Sequence, residues 1–283
     1  MSEKILIASD STTDLSDELK SKYGIITMPL SVTLGEKNYL DGVDIDPDSI
    51  YAHYEKTGQL PKTNAINITD FEDFFTKHTA DGSKMVFFTI SSEMSSTYAN
   101  AKIASEKFEN VYVVDTKNLS TGGGLLLIYA AELASLGRSA AEIAKECEET
   151  AMRVDASFIV DDLEFLHKGG RCSALAAFGA NLLQLKPCIV VEGGKMGVGN
   201  KYRGKFSAVL EKYIKERVGD GSNVQPDHIF ITHAGCDEKI YNDCVSTVKE
   251  LIPNGSVHIT RAGCTISSHC GRNTLGVLFI RKK

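Results

Sequence analysis

Apolar positions along the first half of the chain alternate between short β-branched runs and stretches where they recur every three or four residues. The run at residues 4–8 ends in Ser9-Asp10-Ser11-Thr12-Thr13-Asp14-Leu15, which predicts a strand emerging into a polar loop before a helix through Leu19. Residues 25–30 predict a second strand, and residues 32–39 a hairpin around Gly35-Glu36. Asp46-Pro47 opens a helix, with Asp as the cap and Pro in the first turn, burying Ile50, Tyr51 and Tyr54. Pro61-Lys62-Thr63-Asn64-Ala65 is a polar connector; a helix follows, in which Thr69 and Glu72 form a capping-box pattern ahead of Phe71, Phe74 and Phe75. Residues 85–90 predict a buried strand, Tyr98, Ala101, Ala104 and Phe108 a helix, and residues 111–115 another strand. An apolar helix at residues 125–136 closes at Gly137, and a last helix is capped by Ser139 with Glu142. Such alternation implies a mainly parallel sheet.

From Ala156 the texture changes. A short strand at 158–160 precedes the basic glycine loop His167-Lys168-Gly169-Gly170-Arg171, an alanine-rich helix to Leu185, and a strand at 187–191 that turns at Gly193-Gly194. A helix at 206–218, a strand at 229–232 ending at His233, a helix to Leu251, and strands at 257–260 and 275–280 complete the pattern. Hairpins outnumber crossovers here. The expected architecture is therefore α/β in two domains: residues 1–155 as an N-terminal, mainly parallel α/β sheet domain, and residues 156–283 as a C-terminal α+β domain.

Composition narrows the function classes. The 283 residues are 42% hydrophobic and 24% charged, ordinary for a soluble globular protein, and the formal net charge of −6 argues against nucleic acid or an anionic membrane as main partner. No apolar run reaches transmembrane length, and Met-Ser-Glu-Lys leads directly toward a strand, so the expected location is the cytoplasm without stable membrane insertion. Seven scattered cysteines without a Cys-x-x-Cys pair suit a reduced protein, and Cys264, His269 and Cys270 are too sparse a set for zinc. Neither a metal nor a cofactor is expected.

Candidate chemistry centres on residues 87–98, where a strand ends in a cluster of hydroxyls. Ser95, Ser96 and Thr97 fall at a helix start, where free N–H groups and the helix dipole can hold an anion without a lysine or arginine. Serine and threonine are equally common N-caps, so both readings stand. The glycines of Ser120-Thr121-Gly122-Gly123-Gly124 lack the Lys-Ser or Lys-Thr of a phosphate loop, which favours close backbone packing. No Gly-x-Ser-x-Gly elbow occurs, and Ser95 has no identifiable base. His53, His78, His228 and His258 lie in ordinary helix or strand patterns, and the role of His233 is open. His269-Cys270-Gly271-Arg272 reads as a loop where imidazole and guanidinium could meet a phosphate. Arg171 and Arg203 each stand beside or near glycine in an acidic chain, where the backbone can approach a partner.

Taken together, these residues resemble the DegV family of bacterial lipid-binding proteins, whose better understood members are fatty-acid-binding subunits of fatty acid kinase. The likeness rests on Asp10-Ser11-Thr12-Thr13-Asp14-Leu15, Pro61-Lys62-Thr63, Ile90-Ser91-Ser92 leading to Ser95-Ser96-Thr97-Tyr98, and Asp115. It continues through Leu166-His167-Lys168-Gly169-Gly170-Arg171, Lys186-Pro187, Arg203-Gly204, and Ser268-His269-Cys270-Gly271 before Leu275-Gly276. The resemblance implies a non-catalytic carrier of one long-chain fatty acid, its carboxylate bound at Thr63 and Ser95 with Ser96 beside them. It implies a separate ATP-binding kinase subunit that phosphorylates the carboxylate to an acyl phosphate, with Arg171, Arg203 and His269 facing that partner or the phosphoryl group. Three segments depart from the family pattern: Asn64-Ala65-Ile66 for Ser-Gln-Pro, Ser96 for Gly, and Gly271-Arg272-Asn273 for Gly-Pro-Gly. The alternatives are an independent enzyme acting on a small carboxylate or phosphate, and a lipid carrier or sensor without a kinase.

Overall fold

The structure is a computed structural model that describes residues 4–175 and 185–283. The alanine-rich helix expected before Leu185 lies almost wholly outside the described residues. Three sheets organise the rest. β1 (Ile5–Asp10), β2 (Ile26–Met28), β6 (Lys84–Thr89) and β7 (Val111–Asp115) form a parallel sheet in the order β2-β1-β6-β7. β3 (Ser31–Leu34), β4 (Lys37–Leu40) and β5 (Lys62–Asn64) form a small antiparallel sheet in the order β4-β3-β5. β8 (Val154–Val160), β9 (Lys186–Glu192), β10 (Lys195–Tyr202), β11 (Val224–Ala234), β12 (Val257–Arg261) and β13 (Thr274–Arg281) form the third, ordered β10-β9-β8-β13-β11-β12. Its neighbours are antiparallel except β11 and β12, which are joined through α9 (Glu238–Leu251).

The two-residue period of the strands decides what each face covers. In β6, Met85 and Phe87 pack toward Phe71 and Phe75 of α3 (Ile68–Thr79) and Ala101 and Ala104 of α4 (Thr97–Ser105). Val86 and Phe88 point the other way, onto α5 (Thr121–Ser135) and α6 (Ala140–Ala151). In the six-stranded sheet, Ile229, Ile231, Val277 and Phe279 meet α9 and α8 (Phe206–Val218), while Phe158, Phe230 and Leu278 face α5. α5 is thus covered on both sides, and its Leu125, Leu126, Leu127 and Ile128 are all buried. A helix that is apolar all round belongs in such a place.

The α5 glycines lie inside the helix, which starts at Thr121, four residues earlier than its apolar run suggests. A Cβ on Gly124 would sit 2.7 Å from the Leu15 side chain and 2.9 Å from the Thr13 carbonyl. Close packing against the β1 exit therefore requires glycine there. Two other expectations are corrected. α3 is capped by Asn67, whose side chain accepts from the Asp70 N–H, instead of by a Thr69–Glu72 box, because the chain turns helical two residues earlier. The Pro61–Ala65 connector contains β5, an edge strand with no apolar alternation to announce it.

The Ser139–Glu142 capping box forms as expected on α6, and Asp46 caps α2 (Pro47–Thr57) through the Ser49 N–H. Tyr213 of α8 ties the larger sheet to its cover. Its buried hydroxyl donates to the Ser157 carbonyl at 2.6 Å and accepts from the Val277 N–H at 3.0 Å, two residues paired across β8 and β13. Tyr213→Phe leaves both backbone groups buried and unpaired, so equilibrium urea unfolding is expected to show a loss of about 1–3 kcal/mol. A loss below about 0.5 kcal/mol would show that the two groups find other partners.

Candidate functional site

Winding of the parallel sheet reverses between β1 and β6: from β1 the chain goes to β2 on one side, then returns to β6 on the other. Crevices beyond the carboxyl ends of strands at such a point are where open α/β sheets take ligands. A cavity with about 750 Å³ of empty space, partly open to solvent, lies there. Its inner wall is apolar: Leu30, Ile90 and Leu119 follow β2, β6 and β7, and Leu166, Met196 and Ile266 come from the other half. The polar groups gather on Thr63, Asn64, Ser95, Ser96, Thr265, His269 and Arg171.

Thr63 is positioned by β5, in register with Val32 of β3. Its Oγ1 lies 2.8 Å from His269 Nε2. His269 occupies the last turn of α10 (Cys264–Cys270), so the loop expected around it is instead a short helix. Burial first, and the neighbouring Arg171 second, push its pKa down to about 4, which keeps the ring neutral near pH 7. Nδ1 is buried without a hydrogen-bond partner. A Cβ on Gly169, the last residue of α7 (Glu164–Gly169), would fall 2.6 Å from that nitrogen. The glycine loop read in the sequence is thus helical through Gly169, and its glycine makes room for the imidazole.

A neutral ring with its proton on Nε2 leaves only an acceptor unpaired, which costs less than an orphaned N–H. On that assignment, inferred from the hydrogen-bond network, Nε2–H donates to Thr63 Oγ1. The Thr63 hydroxyl is then free to donate into the cavity. Ser95 has a related arrangement: its Oγ accepts from the Thr97 N–H at 3.2 Å and lies 2.9 Å from Thr97 Oγ1. Ser96 stands at the N-cap of α4 but makes no capping bond through its side chain, and it is exposed. Ser95 thus supplies the side-chain cap that Ser96, at the N-cap position, does not. Arg171 is exposed at the mouth and donates to the Gly169 carbonyl at 2.8 Å. Arg203 lies beyond β10 on the exposed surface, outside the cavity wall.

Sequence reasoning missed what holds α10 in place. Asp41 Oδ1 accepts from the Cys264 N–H at 2.7 Å, Asp41 Oδ2 from the Thr265 N–H at 3.0 Å, and Asp14 Oδ1 from the Gly263 N–H at 2.8 Å. Asp10 anchors the β6 exit through the Ile90 N–H at 2.7 Å. The acidic motif after β1 therefore supports the site from behind. Burial raises Asp14 to about 8 and Asp10 to about 6, against their hydrogen bonds. Thr265 was missed as well: it lines the cavity, and its buried Oγ1 has no partner. Only its place on a helix bounded by distant carboxylates reveals it.

Residues 4–282 match the family model described as the uncharacterised DegV family. The chain belongs to the DegV family. Among its DegV relatives, a DegV domain-containing protein of Clostridium acetobutylicum is 32% identical, with 99% of each chain covered. A DegV family protein from Thermus thermophilus, described for its fatty acid binding, superposes with a TM-score of 0.88 at 26% identity, over 99% of this chain and 100% of that one. DegV from Bacillus subtilis, described as a fatty acid binding protein, gives 0.86 at 27% identity over 99% and 100%. The shared DegV architecture covers all three sheets.

Two outcomes follow for this DegV site. Gly169→Ala should displace His269 and break its bond to Thr63, seen by NMR titration as a rise of the His269 pKa from about 4 toward the ordinary histidine range; an unmoved titration would refute the close packing. The raised Asp14 pKa means that the native state holds this proton more tightly than the unfolded chain does. That stabilisation is complete below about pH 4 and is lost as pH rises through about 8. Asp14→Asn, which keeps an acceptor for Gly263 and can donate to Ser120, should flatten the decline in unfolding free energy between about pH 4 and about pH 8. Parallel profiles for wild type and variant would show that Asp14 stays ionised.

Proposed function

We propose that this chain carries a long-chain fatty acid, with the acyl tail in the cavity and the carboxylate at its mouth, and presents that carboxylate to a separate ATP-binding kinase subunit. The kinase then forms the acyl phosphate, and the carrier performs no chemistry alone. The observation that carries this reading is an apolar cavity whose polar end is made of the Thr63 and Ser95 hydroxyls and a neutral imidazole, with no lysine among its described lining residues. The fatty acid binding described for the Thermus and Bacillus proteins supports it.

Affinity and orientation divide between tail and head. Burying methylenes contributes about 0.8 kcal/mol each, so a long chain supplies on the order of 10 kcal/mol before ordering costs. Hydroxyls bonding a carboxylate supply about 1.5–3 kcal/mol each. Thr63 and Ser95 donate to the carboxylate, Ser96 stands beside them, and the amino end of α4 favours the negative charge. His269 acts through Thr63, turning that hydroxyl into a donor, instead of through a charge of its own. Arg171 at the mouth and Arg203 on the outer surface face the kinase or the incoming phosphoryl group. In this reading residues 1–155 supply the carboxylate contacts and residues 156–283 help enclose the tail and carry the partner-facing side chains. The carrier works in the cytoplasm, where its seven buried, free cysteines stay reduced.

A Thr63–His269 nucleophile and base would instead make the protein an independent enzyme. Its ring lacks the third group that orients such a base, and a pKa of about 4 leaves little basicity at neutral pH. Native mass spectrometry of gently purified protein should show a bound fatty acid; protein that is empty and also refuses added palmitate overturns the carrier reading. Thr63→Val with Ser95→Ala should weaken palmitate by about 100-fold or more, from two charge-assisted bonds, while leaving the neutral methyl ester within about threefold. Unchanged palmitate affinity would remove both residues from the head-group site.

A further inference from the structure

The hairpin joining β9 and β10 reaches from the six-stranded sheet to the loop that carries Ser95. Glu192 pairs with Lys195, so Gly193 and Gly194 alone form its turn, and both have the positive φ (56° and 88°) that a tight two-residue turn favours. The tip sits on Ser91, which follows the cavity-lining Ile90 at the exit of β6. A Cβ on Gly194 would fall 2.6 Å from Ser91 Oγ, 3.0 Å from Lys117 Cδ and 3.3 Å from Glu93 Cγ. Glycine is needed there for contact as well as for conformation.

Ser91 is fully buried, and each of its polar groups is bonded. Its hydroxyl donates to the Gly194 carbonyl at 2.7 Å and accepts from the Glu93 N–H at 3.2 Å. Its N–H donates to the Asn118 carbonyl at 2.9 Å, and its own carbonyl accepts from the Met94 N–H at 3.0 Å and the Ser95 N–H at 3.2 Å. The turn that ends in Ser95 thus hangs from one residue, held by the segment after β7 on one side and by the hairpin tip on the other. The neighbouring Lys195–Glu93 ion pair, 3.4 Å long, is exposed and adds little. The buried hydroxyl–carbonyl bond is what fixes the two pieces to each other.

A hydroxyl serves a carboxylate only while distance and angle are kept, because hydrogen bonds weaken steeply off alignment. We propose that Ser91 is a positioning residue for the carboxylate site, and that the β9–β10 hairpin sets the place of the Ser95 hydroxyl through the Gly194 carbonyl. This inference rests on the carrier reading. Ser91 is not part of the cavity wall, so it acts through Ser95 and not on the ligand. One hairpin then serves both ends of the bound acid: Met196 of β10 lies against the tail, and the tip holds the turn that meets the head.

The test compares palmitate with its neutral methyl ester by competitive displacement of a fluorescent fatty acid. Ser91→Ala should weaken palmitate about fivefold or more and leave the methyl ester within about twofold, since a charge-assisted bond is what becomes misaligned. Gly194→Ala, which drives a methyl into Ser91 Oγ, should give the same selective loss and serves if the buried Ser91→Ala change unfolds the protein. Added to Ser95→Ala, either substitution should cost palmitate less than about a further twofold, because its effect passes through the missing hydroxyl. Equal losses for acid and ester, losses that add in full to that of Ser95→Ala, or no loss in a folded variant overturn the inference and leave the carrier reading standing. Wild-type protein that binds neither palmitate nor its ester overturns both.

Discussion

Two buried carboxylates from the first third of the chain hold the helix on which the site depends. α10 is seven residues long, too short to be stable by itself, and its first amides are bound by Asp14 and Asp41 from more than two hundred residues away in sequence. That helix carries Thr265, Ile266, His269 and Cys270 into the cavity wall. Without the two carboxylates, His269 would have no fixed relation to Thr63, which arrives on a different edge strand. The acidic exit of β1 thus works by positioning other residues, with its carboxyl oxygens turned into the protein.

A site assembled in this way can stay electrically quiet. The imidazole is neutral, the hydroxyls carry no charge, and the one guanidinium among the described lining residues sits at the solvent edge. An anion held by hydroxyls and a helix start keeps its oxygens less tightly bound than it would in a bidentate arginine clamp. In the proposed carrier, that suits a carboxylate displayed for transfer.

Much of the framework was legible in the sequence because periodicity there was dictated by burial. β6, buried on both faces, reads as an unbroken apolar run, and α8 matches its apolar spacing from Phe206 to Val218. Thr63, Ser95, Ser96, Arg171 and His269, picked out from separate segments, do line one cavity, and Arg203 does not. What escaped was whatever depends on partners distant in the chain. β5 has no alternation of its own and exists only because β3 pairs with it. The helical state of His269 is imposed by Asp41 and Asp14, and Thr265 lines the cavity only by virtue of that helix. The Thr69–Glu72 pattern was a local signal overruled by Asn67, which caps two residues earlier.

The central position of α5 has a mechanical corollary. Its leucines belong at once to the core beneath the parallel sheet and to the core beneath the six-stranded sheet. Swinging the two sheets apart would strip one side of that helix of its cover, at about 25 cal/mol for every Å² exposed. The two halves are welded along α5, not hinged. Any route into the cavity is therefore left to its open side, where Ser96 and Arg171 are exposed, and does not need the two sheets to part.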